Sequence, residues 1–363
     1  MKADYLMIGG FLGAGKTTAL LQLGRRLTAQ GRRVGLIVND QSYGLVDTAL
    51  LAAHGFPVEE IAGGCFCCRF EALIEALERL ARRAAPDVIL AEPVGSCTDL
   101  RATVQYPLRR LYGDRYRVGP LSVLVDPLRA LRMLGRESGR PFSSKVLYVY
   151  GKQLEEADLI VINKCDLLDE ERAARLESAL RERYGGAEIL RVSAREGTGL
   201  DRRLAALAAE AGSPAAPQVD YDLYAEGEAL LGWLNSTVRV SAPMPFDGNR
   251  FLLDLGGHIR RTLAAEGVEI AHLKMTLARD GGTPAVAVLN LVASGSEPEL
   301  RYALEAPLAA GTLTVNLRAE SAPEALRGAV EAALTASGPA TEVRQLAYFH
   351  PARPVPTHRM ADG

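Results

Sequence analysis

The sequence predicts an α/β chain: a mostly parallel, doubly wound sheet, then a smaller α+β domain for which a ferredoxin-like order is the first candidate. Three observations carry that expectation. Strand-length apolar runs alternate with helix-length amphipathic stretches through the first half, as parallel strands crossed over by helices require. A glycine-rich loop stands between the first strand and the first helix. Past a stretch rich in Ala, Pro and Gly, strands begin to follow one another directly. The 363 residues also exceed one typical domain of about 150 residues.

Tyr5–Ile8, Val34–Val38, Val88–Ala91, Leu121–Val125, Leu159–Ile162 and Ile189–Val192 read as the strands of the first domain, residues 1–207. Most are continuous apolar runs, the pattern of strands buried on both faces. Between them, Thr17–Gln30, Phe70–Arg83, Ser143–Glu156 and Glu170–Tyr184 repeat apolar residues every three or four positions, so one face of each can cover the sheet. A further helix is expected over Thr98–Leu111. Residues 208–222 form a linker, whose Ala208–Val219 portion mixes Ala, Gly and Pro. The α+β domain, 223–348, begins with a strand at Leu231–Ser241 and a helix at Asn249–Gly267. Strands Glu269–Ala278 and Ala285–Ala293 flank the turn Asp280-Gly281-Gly282. A strand at Thr312–Arg318, a helix at Pro323–Ala336 and a strand at Glu342–Tyr348 complete it, with Trp233 as a core anchor. Residues 349–363 are Pro-rich and expected as a flexible tail.

Composition removes several functions. An apolar fraction of 48% with 24% charged residues excludes a disordered chain. No stretch approaches the roughly 18–20 consecutive apolar residues of a membrane span, and the first apolar run is too short for a signal peptide, so a cytoplasmic protein without a membrane partner is expected. A net charge of −2 offers no broad positive field for nucleic acid. Arg101, Arg109, Arg110, Arg115 and Arg117 read as a solvated basic face, with partner docking as the alternative.

Gly10-Phe-Leu-Gly13-Ala14-Gly15-Lys16-Thr17 fits G-x-x-x-x-G-K-[ST] between a strand and a helix, and marks the first domain as a P-loop NTPase. Glycines let consecutive N–H groups, Ala14 included, turn toward phosphate oxygens, and the helix that Thr17 and Thr18 open adds a partial positive charge. Lys16 reaches the β- and γ-phosphates; the Thr17 hydroxyl ligates Mg²⁺. Asn163-Lys164-Cys165-Asp166 ends a later strand. A carboxylate at Asp166 accepts from both the ring N–H and the exocyclic amine of guanine, a donor pair that adenine lacks, so GTP and GDP are expected over ATP. This disfavours a small-molecule kinase. Ser193 and Ala194 are expected to contact guanine by backbone N–H, and capping of the next helix is the alternative role for Asp166.

The five cysteines are Cys65, Cys67, Cys68, Cys97 and Cys165. An odd number with three in four residues is no disulfide framework. Cys65, Cys67 and Cys68 follow Gly63-Gly64 and precede a helix N-terminus, which favours thiolate. Three thiolates nearly complete a tetrahedral site for Zn²⁺ or Co²⁺; a buried apolar cluster and a transient Cys67–Cys68 disulfide are the alternatives.

Gly9-Gly-Phe-Leu-Gly-Ala-Gly-Lys-Thr-Thr18, Val38-Asn39-Asp40, Gly64-Cys65-Phe-Cys67-Cys68, Glu92-x-x-Gly95 and Asn163-Lys-Cys-Asp166 occur in the order of CobW-type P-loop GTPases, relatives of HypB and UreG. The resemblance covers about residues 1–205 by motif. It implies a cytoplasmic GTPase that carries a transition metal, or supports a metal-cofactor enzyme, for an unidentified client metalloenzyme, with a homodimer as one arrangement. By that likeness Glu92 and Gly95 belong to switch II, Glu92 acting on Mg²⁺ through water and Gly95 offering an N–H to the γ-phosphate. Asp40 and Asp47 fall in switch I. Asp40, where relatives carry Glu, is a candidate fourth metal ligand alongside water; Asp47 is a candidate to position Mg²⁺ or the attacking water. The rival reading is a nucleotide-switch chaperone for a corrinoid or other metalloenzyme, with structural or redox thiols and no metal delivery. Cys97 departs from the family pattern: a nucleotide-sensitive extra ligand and a small residue opening a helix are both open. Cys165 reads as packing. The His-rich segment of many relatives is missing, and His350 and His358 lie isolated near the end.

Overall fold

The structure is a computed structural model that describes residues 2–41, 46–140, 142–209, 212, 214–280 and 286–362, with the backbone alone at 46, 47, 49 and 53. The chain divides into two compact units, one of residues 1–227 with 353–363 and one of residues 228–352.

In chain order the first unit holds β1 (Ala3–Gly10), α1 (Lys16–Ala29), β2 (Val34–Asn39), α2 (Val46–Ala53), β3 (Val58–Ile61), α3 (Phe70–Ala84) and β4 (Val88–Glu92). A π-helical turn, Arg101–Gln105, runs into α4 (Tyr106–Tyr112). Then come β5 (Tyr116–Val118), β6 (Ser122–Val125), α5 (Pro127–Met133), α6 (Ser144–Glu155), β7 (Leu159–Ile162), α7 (Glu170–Arg183), β8 (Glu188–Arg191), α8 (Leu200–Ala208) and α9 (Tyr221–Ala229).

The sheet order is β3-β2-β4-β1-β6-β7-β8, with β5 added beside β1, and every pairing is parallel. Parallel strands need crossovers, which the helices supply, so both faces are covered. Leu6 and Ile8 of β1 pack with Leu20, Leu23 and Leu27 of α1, while the alternate residues Tyr5 and Met7 are fully buried as well. The carboxyl ends of the strands lie together, and the loops that leave them carry the candidate residues.

The second unit contains β9 (Leu231–Phe246), α10 (Gly248–Ala265), β10 (Ile270–Arg279), β11 (Val286–Leu291), β12 (Glu299–Tyr302), β13 (Leu308–Glu320), α11 (Pro323–Thr335) and β14 (Ala340–Phe349). Its sheet order is β12-β11-β10-β13-β9-β14, antiparallel throughout. The four strands β14-β9-β13-β10 with α10 and α11 trace the split βαβ order of a ferredoxin-like fold, extended at one edge by β11 and β12. Leu252, Leu255, Ile259 and Leu263 of α10 and Leu326, Val330 and Leu334 of α11 bury against this sheet in one core. Trp233 is fully buried, with the Arg318 guanidinium 3.9 Å above its ring. Gly281, Gly282 and Ala285 of the expected turn and strand lie outside the described residues.

The tail expected over 349–363 is not loose at residues 353–362, which pack on the first unit: Met360 N–H donates to Ala102 O at 2.9 Å, Ala216 N–H to Ala361 O at 3.0 Å, and Arg359 pairs with Asp99 at 2.8 Å. Pro351, Pro354 and Pro356 lower the entropy lost in ordering this extended segment, so few bonds suffice to hold it. The basic stretch is also not simply solvated. Arg101 is buried against Asp158 at 2.9 Å, and Arg115 and Arg117 pair with Glu78 and Asp4.

Candidate functional site

The loop between β1 and α1 is built on glycines that no other residue replaces. Gly10, Gly13 and Gly15 have φ of 127°, 78° and 88°, the left-handed region. A Cβ at Gly10 would fall 2.3 Å from Leu124 O, and one at Gly15 would fall 2.5 Å from Asn163 Nδ2. Lys16 opens α1 buried, its ammonium 3.4 Å from Phe11 O and 3.9 Å from Glu92 Oε1. Thr17 Oγ1 donates to the same carboxylate oxygen at 3.4 Å. Thr18 follows, half-buried in the first turn. The sheet thus brings Lys16, Thr17 and Glu92 together although Glu92 is 75 residues away in sequence. A Cβ on Gly95 would lie 3.0 Å from Lys16 Nζ, so this glycine packs directly on the loop lysine.

Asn163, just past β7, joins three segments. Its Nδ2 donates to Ala14 O at 2.8 Å and its Oδ1 accepts from Ala194 N–H at 3.0 Å. Lys164, with φ of 53°, sends its ammonium to Gly13 O at 2.9 Å and Asp126 Oδ2 at 2.7 Å. Burial would raise the Asp126 carboxyl, but Lys164 and Arg129 outweigh it and hold the group below its ordinary range. Asp166 is exposed, and Asp169, not Asp166, caps α7 by accepting from Arg172 N–H at 2.8 Å. The capping alternative for Asp166 therefore fails. The expected backbone contacts at Ser193 and Ala194 are also corrected: Ser193 N–H is taken by Thr198 O at 3.0 Å and Ala194 N–H by Asn163 Oδ1, so of the two only Ala194 braces Asn163. Sequence reading missed Asp126, whose partner is 38 residues away, and motif spacing does not mark it.

The thiol loop follows β3. Asn39, ending β2, braces it: Nδ2 donates to Ile61 O at 2.9 Å and Gly64 O at 2.7 Å, and Oδ1 accepts from Phe66 N–H at 2.8 Å. Asn39 stood in the quoted motif without a role. Cys65 Sγ is 2.7 Å from Cys67 Sγ and 3.2 Å from Cys68 Sγ, and the last two are 3.7 Å apart. Cys65 and Cys67 are buried and Cys68 is half-buried. Hydrogen bonds from Cys67, Cys68 and Cys97 hold the Cys65 thiol well below its ordinary value, against the pull of burial. Each hydrogen bond shared with Cys65 raises its partner, Cys67 well above its ordinary value and Cys68 to about 11. The cluster thus holds its first negative charge on Cys65.

Among the described residues, no carboxylate or imidazole joins the three loop thiols within 4.8 Å of one another. Asp40 is half-buried just past β2 but is not in that group, which corrects the expectation that it completes the thiol site. The side chain of Asp47, in α2, lies outside the described residues. The C-terminal segment crosses the cluster: Val355 N–H donates to Cys68 Sγ at 3.2 Å and Thr357 N–H to Cys67 O at 2.9 Å. His358 rests edge-on against Phe70, ring centroids 5.0 Å apart. No helix among the described residues is long and apolar enough to cross a membrane.

Residues 4–191, just over half of the chain, match the family model described as CobW/HypB/UreG, nucleotide-binding domain. The chain is 31% identical over 189 residues to the zinc chaperone CobW of a Sinorhizobium species, which covers 46% of this chain and 52% of that one. It is 25% identical over 220 residues to the zinc-regulated GTPase metalloprotein activator 1 of Dictyostelium discoideum, covering 52% and 46% of the two. The chain spans about half the length of the curated relatives it matches. The crystal structure of HypB from Helicobacter pylori in complex with nickel is 18% identical, covers 55% of this chain and 83% of that one, and has a TM-score of 0.42.

Proposed function

Because this chain belongs to the CobW/HypB/UreG family of nucleotide-binding domains, we propose that it is a GTP-hydrolysing metallochaperone. It binds a thiophilic divalent metal, zinc or cobalt, at Cys65, Cys67 and Cys68 and passes it to a client metalloenzyme. The observation that carries the reading is the convergence at one edge of a parallel sheet. The phosphate loop, the Asn163 clamp and the three-thiol cluster all stand on loops leaving strand carboxyl ends.

In this reading Gly10, Gly13, Ala14 and Gly15 turn backbone N–H groups onto the β-phosphate, and Lys16 neutralises charge between β- and γ-phosphates. Asp166, exposed beside the clamp, accepts from guanine. Thr17 and Glu92 would hold a magnesium ion, which would supply neutralisation of the phosphoryl charge. Gly95 N–H meets the γ-phosphate; Glu92 and the switch residue Asp47 orient water. Water attacks the γ-phosphorus, the bond to the β-bridging oxygen breaks, and GDP and phosphate leave. With the γ-phosphate gone, the Gly95 segment loses its anchor and the thiol site weakens. The curated relatives named zinc chaperone and zinc-regulated GTPase support zinc as cargo. The second unit, with a core of its own, recognises the client or pairs two copies.

The test is paired. Calorimetric titration should show GTP and GDP binding and ATP not binding; equal ATP affinity contradicts the guanine assignment. Cobalt added to apo protein should produce thiolate-to-cobalt charge transfer that is lost in the Cys65→Ala, Cys67→Ala, Cys68→Ala triple variant. An unchanged spectrum in that variant leaves the rival switch-chaperone reading, without metal delivery, as the better one.

A further inference from the structure

Cys97 sits two residues past Gly95 on the segment leaving β4, and its side chain is 1% exposed. The thiol is hydrogen-bonded to those of both Cys65 and Cys67, whereas Cys68 meets the backbone of the C-terminal segment. Cys97 is therefore buried beside Cys65 and Cys67, outside the three-sulfur group, although it comes from a different strand end.

Its backbone is held on each side. Cys97 N–H donates to Val94 O at 3.0 Å. Gln153 Nε2, from α6, donates to Gly95 O at 2.9 Å and Cys97 O at 2.8 Å. Gln153 is itself buried, so it pins these two carbonyls from the protein interior. A tetrahedral ion bound by three thiolates is one ligand short. The three loop sulfurs lie within 4.8 Å of one another, and among the described residues no carboxylate, imidazole or further thiol, Cys97 included, lies that close to all three.

We propose that Cys97 is the fourth ligand, its sulfur drawing toward Cys68 as the ion binds, so that Cys65, Cys67, Cys68 and Cys97 close a tetrathiolate site around a thiophilic divalent ion such as zinc. This rests on the metal-binding reading of the thiol loop. Sulfur is the donor such an ion prefers, and each thiol yields its proton to solvent as its bond to the metal forms. The consequence reaches the nucleotide. Gly95 packs on the Lys16 ammonium, so a metal gripped by Cys97 is two residues from the phosphate loop. An ion held by Cys65, Cys67 and Cys68 alone has no ligand on the β4 segment.

X-ray absorption on the zinc-loaded full-length protein decides the matter without a mutation. Four sulfur neighbours at about 2.3 Å are expected. In Cys97→Ser one of them should give way to a lighter donor at about 2.0 Å, and cobalt charge-transfer intensity should fall by about a quarter, one bond in four. Three sulfurs and one lighter donor in the unaltered protein overturn the proposal and leave the metal reading standing. A metal with no sulfur neighbours overturns both. A folded Cys97→Ser protein with an unchanged spectrum also overturns it, and if that variant does not fold the unaltered protein still gives the answer.

Discussion

Asn163 donates to the Ala14 carbonyl and accepts from the Ala194 N–H, so one amide ties the phosphate loop to the segment after β8. In the proposed function Asp166, exposed at the surface, is the group that meets the base edge. Asp166→Asn should cost guanine nucleotide affinity roughly 1.5–3 kcal/mol per charged hydrogen bond lost, read by titration with a fluorescent GDP analogue. Unchanged affinity would remove Asp166 from the base site. At this scale the motif residues were legible because phosphate and guanine chemistry dictate contiguous spacing, as in Gly10–Thr17 and Asn163–Asp166. Asn39, Asp126 and Gln153 were not: each acts through partners tens of residues away, and nothing local marks an amide or carboxylate for such a role.

Among the elements, the six expected strands and four long helices were visible because each buries a continuous run or one helical face. β3, Val58-Glu-Glu-Ile61, was not, since two acids on a half-buried sheet edge resemble a loop. β5 is three residues long, below what a pattern can mark. The C-terminal segment was misread because its bonds use backbone N–H groups, which sequence does not distinguish. Removing residues 354–363 should therefore speed alkylation of Cys68 relative to Cys165, followed by mass spectrometry. An unchanged ratio would mean the segment does not cover the cluster. Glu156, at the end of α6, makes a second prediction. It is buried, accepts from Thr98 Oγ1 and Arg101 N–H, and lies near Asp99; burial first, then Asp99, raises its carboxyl from 4.5 to about 8, with the Arg101 and Thr98 bonds opposing. The folded chain then keeps a proton that the unfolded chain releases above 4.5, so this contribution to stability is full below that pH and is lost as pH rises through about 8. Glu156→Gln should flatten the fall in thermal midpoint across that window; an identical slope in the two proteins would exclude the carboxyl as its source.

At the scale of the molecule, the proposed function assigns nucleotide and metal to the unit of residues 1–227 with 353–363 and partners to the ferredoxin-like unit of residues 228–352. The five cysteines now sort by place: Cys65, Cys67 and the half-buried Cys68 in one cluster, the buried Cys97 beside Cys65 and Cys67, and Cys165 in the guanine motif. If the nucleotide and the thiols are coupled, linkage requires reciprocity: GTP must tighten metal binding by the factor by which metal tightens GTP, on the order of 5–150-fold for typical couplings. The most direct measurement is zinc affinity by chelator competition in Mg-GTP and in Mg-GDP, with GTP affinity measured in the presence and absence of zinc. Zinc should bind more tightly with GTP, with an equal factor in the reciprocal titration, both lost when Cys65, Cys67 and Cys68 are replaced by alanine. The same zinc affinity in the two nucleotide states would contradict that coupling.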